Sequence, residues 1–588
     1  MNYNLYDIQK SQEDKGKSSA ILKKLGQLIG GEKKNLFIAF TAIIISSGLN
    51  LLGPLLIGLA IDRYVQTKQM HGVFVYSGIL LITYLIALVA NYLQTQFMGA
   101  IGQRMLFNLR NAVFNKLQEL PVAFFNQNKA GDLISRINND TDKLNQFFSQ
   151  SLMRFLGIIV TMIGAGIFLI SINPRLGGAA LIPGAFILIF TKLISPWVKR
   201  KNAASLKSVG GMSGEIQESL DNFKTIIAFN RRDYFRKKFD DTNQDNYQKA
   251  VGAGIANNLL MPVYSLFTNF AQLIVLAYGI YLISVGDFSV GLLISFLSYA
   301  NRFYSPLRQL AALWASFQTA LAAWDRISVV LSLHADMKVE KDTLQPVKSN
   351  NILEFKDVYF SYDGKKEILS NVSFNLQRGK TYAFIGPTGG GKTTNASLIA
   401  RLYDPGKGSI FLDGKDIRAY TDDERSGKIG FILQEPFLFG GTVKENILFG
   451  NNDYQHCSDE QLLDILQKAH VDVLLDKFDD GLQTKIATGA HTLSLGQKQL
   501  IAFMRAVLRD PEILILDEAT ANIDTVTEQL LEEILKKLPG TTTRVIIAHR
   551  LNTIENADEI FFVNAGEVTA AGSMEHAMEM LMEGERES

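Results

Sequence analysis

Residues 381–394 read Thr381-Tyr-Ala-Phe-Ile385 and then, without a break, Gly386-Pro387-Thr388-Gly389-Gly390-Gly391-Lys392-Thr393-Thr394. An apolar run enters a glycine-rich loop, and an apolar helical pattern leaves it, ending near Leu402. This is GxxxxGK[ST] between a strand and a helix, the setting in which the motif binds phosphate. The glycines let consecutive backbone N–H groups turn toward phosphate oxygens, and the helix N-terminus adds its positive end. Lys392 is placed to reach the β and γ phosphates, and Thr393 to hold Mg²⁺. Further on, Ile513-Leu-Ile-Leu516 ends in Asp517-Glu518. Ligands gather at strand ends in a parallel sheet, so Asp517 suits the Mg²⁺ shell and Glu518 suits polarisation of an attacking water. An acidic strand end is a weak signal by itself and a strong one beside the phosphate loop. A third strand, Arg544-Val-Ile-Ile-Ala548, ends in His549, a residue type that often only caps a strand.

The sequence around this segment is of two kinds. Residues 1–349 hold 35 Lys+Arg against 21 Asp+Glu, whereas residues 350–588 hold 24 against 37. The formal net charge of +1 is a cancellation between a basic and an acidic half, which argues against one uniform domain. With 47% hydrophobic and 10% aromatic residues the chain is rich enough to bury large cores. A single cysteine, Cys457, excludes an intrachain disulfide and a cysteine-rich metal site. The first 35 residues lack an apolar core with a cleavage site, so a soluble secreted protein is not expected. Nothing marks the chain for nucleic acid.

Six stretches are long and apolar enough for a lipid bilayer: Leu36 to Ile61, Val73 to Met98, Phe147 to Ile172, Leu176 to Val198, Leu259 to Ser284 and Val290 to Leu313. Lys23, Lys24, Lys33 and Lys34 precede the first; Arg104, Arg110, Lys116, Lys129, Arg136 and Lys143 fall in the second connection; Lys199, Arg200, Lys201, Arg231, Arg232, Lys237 and Lys238 fall in the fourth. The alternate connections hold only Arg63, Lys68 and Arg175. The positive-inside rule therefore puts the N-terminus, the long connections and the C-terminal half in the cytoplasm of a multi-pass protein of the cell membrane. Residues 18–30 carry apolar positions at helical spacing beside lysines and predict an interfacial helix, although an amphipathic core helix would have the same pattern. The connections 99–146 and 199–258 are polar yet helical in pattern, and they predict membrane helices extended as stalks with short cross-pieces.

Taken together, these segments resemble an ATP-binding cassette transporter. Leu493-Ser494-Leu495-Gly496-Gln497 resembles the family signature LSGGQ, Gln434 matches the glutamine loop, and Tyr362 matches the aromatic residue that stacks on adenine. Asn522-Ile-Asp524 resembles the D-loop, and His549 matches the switch histidine. The order of the halves, with Leu120-Pro121 to Phe125 and Gly131-Asp132-Leu133, resembles half-size exporters over nearly the full chain. The fold implied is an α-helical membrane domain with six transmembrane helices extended into the cytoplasm, followed by an α/β P-loop nucleotide-binding domain. Its expected boundaries are 1–35 for an N-terminal segment, 36–333 for the membrane domain, 334–351 for a linker and 352–588 for the nucleotide domain.

The resemblance further implies ATP and Mg²⁺ as ligands, with Glu518, His549 and Gln434 catalytic and Thr393, Gln434 and Asp517 at the metal. Ser494, Gly496, Gln497 and Asp524 join the phosphate loop in contacting nucleotide. ATP is sandwiched in this family between the phosphate loop of one nucleotide domain and the signature of another, which implies two chains. Two departures bear on which two. Leu495 stands where the family most often has glycine, and Thr488 replaces an acidic residue in Ile486-Ala-Thr-Gly-Ala490. Together they favour a heterodimer, whose second subunit supplies the standard signature, over a homodimer that tolerates LSxGQ. Polar and aromatic residues in the spans, among them Asn301, Arg302 and Tyr304, suit a small hydrophobic or amphipathic substrate, though most such groups serve helix packing. The reading is ATP-driven efflux of drug-like molecules or lipids. A dedicated lipid or peptide exporter is the near alternative, and an ATP-gated regulatory subunit or channel the more distant one. The lack of a peptidase segment before the first span counts against processed peptides.

Overall fold

Long helices dominate the first half because the apolar runs continue at helical spacing into polar sequence, running through Gly177-Gly178, Pro183-Gly184, Pro196 and Gly210-Gly211 without a break. The computed structural model describes residues 3–13, 32–334, 337, 339, 350–451, 453–487, 493–517, 525–547, 556–572 and 574–587. The expected interfacial helix at 18–30 lies outside the described residues. Contacts divide the chain into one unit of Gln9–Leu117 and Gly131–Ser332, and another of Met1–Ile8, Gln118–Ala130 and Leu333–Ser588.

The first unit is helical. Lys33–Ala60, Met70–Gln118, Leu152–Ile172, Pro174–Asp221, Arg232–Val285 and Val290–Ser332 each contain or closely overlap one of the six apolar stretches. Asn173 starts the fourth, its side chain accepting from Leu176 N at 3.0 Å with Pro174 at the first helical position. Gly286, at φ +85°, ends the fifth in the left-handed conformation that favours glycine. Among the described residues five helical stretches are long and apolar enough to cross a membrane. Val290–Ser332 is not one of them. Arg302, Asn301 and a series of serines dilute its apolar content. On Met70–Gln118, Leu81, Ile82, Leu85, Leu88, Val89 and Tyr92 are exposed. Such a continuous apolar face is stable only against lipid or another apolar surface, and the chain is a multi-pass membrane protein.

Small residues and satisfied polar groups hold this unit together. A Cβ on Gly291 would lie 2.1 Å from the carbonyl oxygen of Gly58, so the first and last helices touch backbone to backbone. Near Pro54, whose ring interrupts the helix ladder, the hydroxyls of Tyr299 and Ser295 donate to the carbonyls of Leu51 and Pro54 at 2.6 Å each. Arg136, only 4% exposed, donates to Asp132 at 2.8 Å and to the Arg326 carbonyl at 2.5 Å. Arg326 also pairs with Asp140 at 3.2 Å, so charges buried here are answered by opposite charges.

The second unit contains the strands. Asn351–Phe360 pairs antiparallel with Leu369–Gln377 on one side and Lys407–Leu412 on the other. A six-stranded sheet runs Glu567–Ala570, Glu559–Asn564, Thr381–Ile385, Thr543–Ile547, Ile513–Asp517, Ile429–Ile432. The five strands from Glu559–Asn564 to the edge strand Ile429–Ile432 are parallel, and Thr381–Ile385, Ile513–Asp517 and most of Thr543–Ile547 are fully buried, as expected of strands covered on both faces.

Candidate nucleotide site

Register brings the sequence motifs to one edge of this sheet. Ile547 lies beside Asp517 and also beside Phe384, so three parallel strands end level where the glycine loop begins. The loop leaves Thr381–Ile385 at Gly386 and enters the helix Lys392–Ile399 after Gly391. Gly386 has φ +144°, and a Cβ there would sit 2.0 Å from the carbonyl oxygen of Val563. Gly391 has φ +115° and forms the N-cap of the helix. The Gly390 carbonyl is held from the far side by Gly566 N at 3.1 Å. Gly386→Ala is therefore expected to destabilise the loop by about 1–3 kcal/mol through backbone strain alone, with the clash added. Thermal unfolding checks this, and a variant that unfolds at the wild-type temperature would show that the loop relaxes without cost.

Lys392 is buried, and its Nζ donates to the carbonyls of Gly386 at 2.8 Å and Pro387 at 3.0 Å. The amine thus curls back over the loop that precedes it in the chain. Thr393 Oγ1 donates to Asp517 Oδ1 at 3.3 Å, joining the loop to the neighbouring acidic strand end. These two oxygen donors fit the preference of Mg²⁺ for hard ligands. Tyr362 Oη lies 3.1 Å from Thr394 Oγ1, and the Tyr362 ring remains 40% exposed. Gln434 follows Ile429–Ile432, the strand next to Ile513–Asp517, and is exposed.

The signature segment takes a form that its sequence also specifies. Ser494 Oγ accepts from Gln497 N at 3.1 Å while Gln497 Oε1 accepts from Ser494 N at 3.0 Å, a capping box that starts the helix Leu495–Val507. Gln497 Nε2 also donates to the Lys477 carbonyl at 2.9 Å. Leu495 is the first residue of this helix and 36% exposed, and it is not among the residues with positive φ. Glycine's wider conformational choice is therefore not required here; what Leu495 adds is side-chain bulk. Thr488, Glu518, Asn522, Asp524 and His549 lie outside the described residues.

Residues 36–307 match the ABC transporter transmembrane region and residues 369–521 the ABC transporter domain. The chain belongs to the ABC transporter family. It is 33% identical over 569 residues to an uncharacterised ABC transporter ATP-binding protein of Bacillus subtilis, covering 96% of this chain and 92% of that one. It is 31% identical to a fatty acid ABC transporter ATP-binding/permease protein of Mycobacterium bovis, covering 83% of this chain and 77% of the relative. A multidrug resistance ABC transporter ATP-binding and permease protein of Lactococcus lactis is 31% identical, covering 81% and 80%. The ABC transporter domain of this chain binds ATP, and its hydrolysis is coupled to transport.

Several residues of this ABC site have no local signal in the sequence. Phe360 and Tyr403, which the sequence did not single out, form an aromatic triad with Tyr362, the ring centroids 4.8–5.5 Å apart at steep interplanar angles. Asn126 donates to Tyr403 Oη at 2.6 Å, and burial pushes the Tyr403 hydroxyl pKa up against the opposing effect of that bond. Val563 and Gly566 support the phosphate loop through backbone atoms, which no residue-type pattern records. In the helical unit the three candidate substrate residues differ in setting. The Tyr304 hydroxyl is inserted into a helix ladder, accepting from Gly184 N at 3.1 Å and donating to the Ala180 carbonyl, and the residue is 1% exposed. Asn301 accepts from Gln272 at 2.6 Å and is exposed. Arg302 is half-buried and makes no hydrogen bond or ion pair among the described residues.

Proposed function

We propose that this chain is one half of a dimeric exporter that uses ATP to carry hydrophobic or amphipathic compounds out across the cell membrane. The observation that carries the reading is that a phosphate loop closed by Lys392 and joined to Asp517 shares one chain with long helices whose apolar faces are exposed. The fatty acid and multidrug transporters among its relatives favour apolar cargo. In this reading six spans cross the bilayer, with the N-terminus and the nucleotide domain in the cytoplasm. The boundaries are 1–35, 36–333, 334–351 and 352–588. Gly386 to Thr394 hold the phosphates, Tyr362 stacks on adenine, and Ser494, Gly496, Gln497 and Asp524 of one chain face the nucleotide held by the other. Thr393, Asp517 and Gln434 would hold Mg²⁺, which neutralises phosphate charge when bound. Glu518 polarises the attacking water, and His549 contacts the γ-phosphate. Closing two nucleotide domains on ATP draws the stalks together and turns the membrane cavity outward; product release resets it.

Leu495 and Thr488 favour a heterodimer. A leucine side chain on the exposed first position of the signature helix adds bulk to the surface that faces the nucleotide in this reading. The test is transport into inside-out vesicles with a panel of dyes, lipids and peptides, using this chain alone and with the product of a neighbouring reading frame. Export with the pair but not the single chain is expected. Full transport-coupled ATPase activity from the single chain would overturn the heterodimer, and ATP-dependent gating without accumulation would replace export by a regulatory role. In the same assay Arg302→Ala is expected to lower export of anionic cargo about tenfold, because a charged hydrogen bond is lost, with ATP affinity little changed. Equal handling of anionic and cationic cargo before and after would remove Arg302 from the substrate path.

A further inference from the structure

The residues that open the described chain lie against the short helix Val122–Gln127 in the strand-containing unit. Tyr3 and Leu5 are only 2% and 1% exposed. Tyr3 N donates to Gln127 Oε1 at 2.7 Å, Leu5 N donates to Asn128 Oδ1 at 3.0 Å, and Asn128 Nδ2 returns a bond to the Tyr3 carbonyl at 2.9 Å. The Tyr3 ring stands edge-on to buried Phe124 at 6.3 Å, and its hydroxyl reaches the His334 carbonyl at 3.4 Å. A six-residue helix has no stability of its own, so its placement is set by what packs on it. Tyr3 and Leu5 are such packing.

The same helix leads to the nucleotide site. Its Asn126 holds Tyr403, and Tyr403 stands 5.1 Å from Tyr362 at 84°. Tyr362 is also tied to Thr394 of the phosphate loop. An aromatic platform stacks well on a base only when its ring plane is held, and Tyr403 holds that plane by an edge-to-face contact. A cavity of about 520 Å³ lies beside the ring, lined in part by Asn4, Asp7, Asn126, Gln127, Tyr362 and Tyr403. The N-terminal residues thus share a cavity with the platform.

We propose that the Tyr3–Leu5 clip, Asn126 and Tyr403 are positioning elements for the base of ATP, holding Tyr362 in the orientation that stacks on adenine. The proposal rests on the reading of Tyr362 as the adenine platform. Its consequence is that the N-terminal segment sets how tightly the base, and not the phosphates, is bound.

The test uses the full chain, with its partner subunit where one is needed, in lipid vesicles. The KM for ATP is compared with inhibition by tripolyphosphate, which presents phosphates without a base. Tyr403→Phe keeps the ring and loses the Asn126 bond; it is expected to raise the KM for ATP about three- to tenfold, with kcat and tripolyphosphate inhibition retained. Tyr3→Ala is expected to shift KM in the same direction. Tyr3→Phe should restore it, since the edge contact survives and the 3.4 Å hydroxyl bond is long. Tyr362→Ala is the reference and should raise the KM for ATP with tripolyphosphate inhibition unchanged. If it does not, the adenine reading falls and the positioning proposal with it. If it does, while Tyr403→Phe and Tyr3→Ala stay within about twofold of wild type, only the positioning proposal falls. A parallel loss of ATP and tripolyphosphate binding would mark general distortion and also overturn it.

Discussion

Lys392→Ala is expected to lower ATP turnover by about 10²–10³-fold and to weaken ATP binding as well. The structure gives the physical reason. Lys392 Nζ lies over the loop, bonded to the carbonyls of Gly386 and Pro387, so its charge is already delivered to the place that the loop glycines shape for phosphate. The half of the chain that carries it is net negative, with 24 Lys+Arg against 37 Asp+Glu over residues 350–588. Removing the amine takes one cation away from several negative charges, and the Gly386 and Pro387 carbonyls each lose a donor, Pro387 keeping Gly390 N at 3.1 Å. Nucleotide binding by the purified variant and its steady-state ATPase rate check the two halves of the expectation. A variant that hydrolyses ATP within about threefold of wild type would show that phosphate charge is answered elsewhere. Lys392→Arg should not rescue fully, because a planar guanidinium fits this curled geometry less well than a compact ammonium.

Glu518→Gln is expected to reduce turnover by about 10²–10⁴-fold while ATP binding persists. The substitution keeps size and hydrogen-bonding capacity and removes only the basic carboxylate. ATP should therefore still close the two nucleotide domains, and the closed dimer should accumulate because the step that opens it is lost. Sedimentation or cross-linking of the pair in ATP, alongside the ATPase rate, separates the two consequences. Glu518 directly follows Ile513–Asp517, the strand whose end is joined to the phosphate loop by the Thr393–Asp517 bond. If the variant keeps most of its rate, the general base lies on another residue, and the role given to Glu518 must be reassigned. The two substitutions also distinguish binding from chemistry, since Lys392→Ala is expected to weaken both and Glu518→Gln only the second.

The local part of the nucleotide site could be read from residue order alone. Gly386 to Thr393 encode a chain path within eight consecutive positions, and Ser494 with Gln497 encode a helix start within four, because the atoms that interact are carried on neighbouring residues. Apolar length likewise specified membrane helices, since hydrocarbon thickness is a one-dimensional requirement. The opposite charges of the two halves pointed to different surroundings for each. The last helix, Val290–Ser332, forms as expected, but its polar residues leave five rather than six described stretches apolar enough to span.

Contacts between distant segments needed the folded chain. Asn126 and Tyr403 are 277 positions apart, and neither belongs to a pattern that would distinguish it from any other asparagine or tyrosine. The supports that Val563 and Gly566 give the phosphate loop pass through backbone atoms, which every residue possesses. Tyr304 looked like a candidate for cargo because it is polar and aromatic, yet packing places its hydroxyl between Ala180 and Gly184. Leu495 stood out as an exception to the signature, and only the helix it begins shows that its backbone is ordinary while its side chain is exposed. Spacing along the chain encodes chemistry that neighbours perform together; which remote side chain supports them is decided by packing, where many residue types can fill a position and only the three-dimensional arrangement selects one.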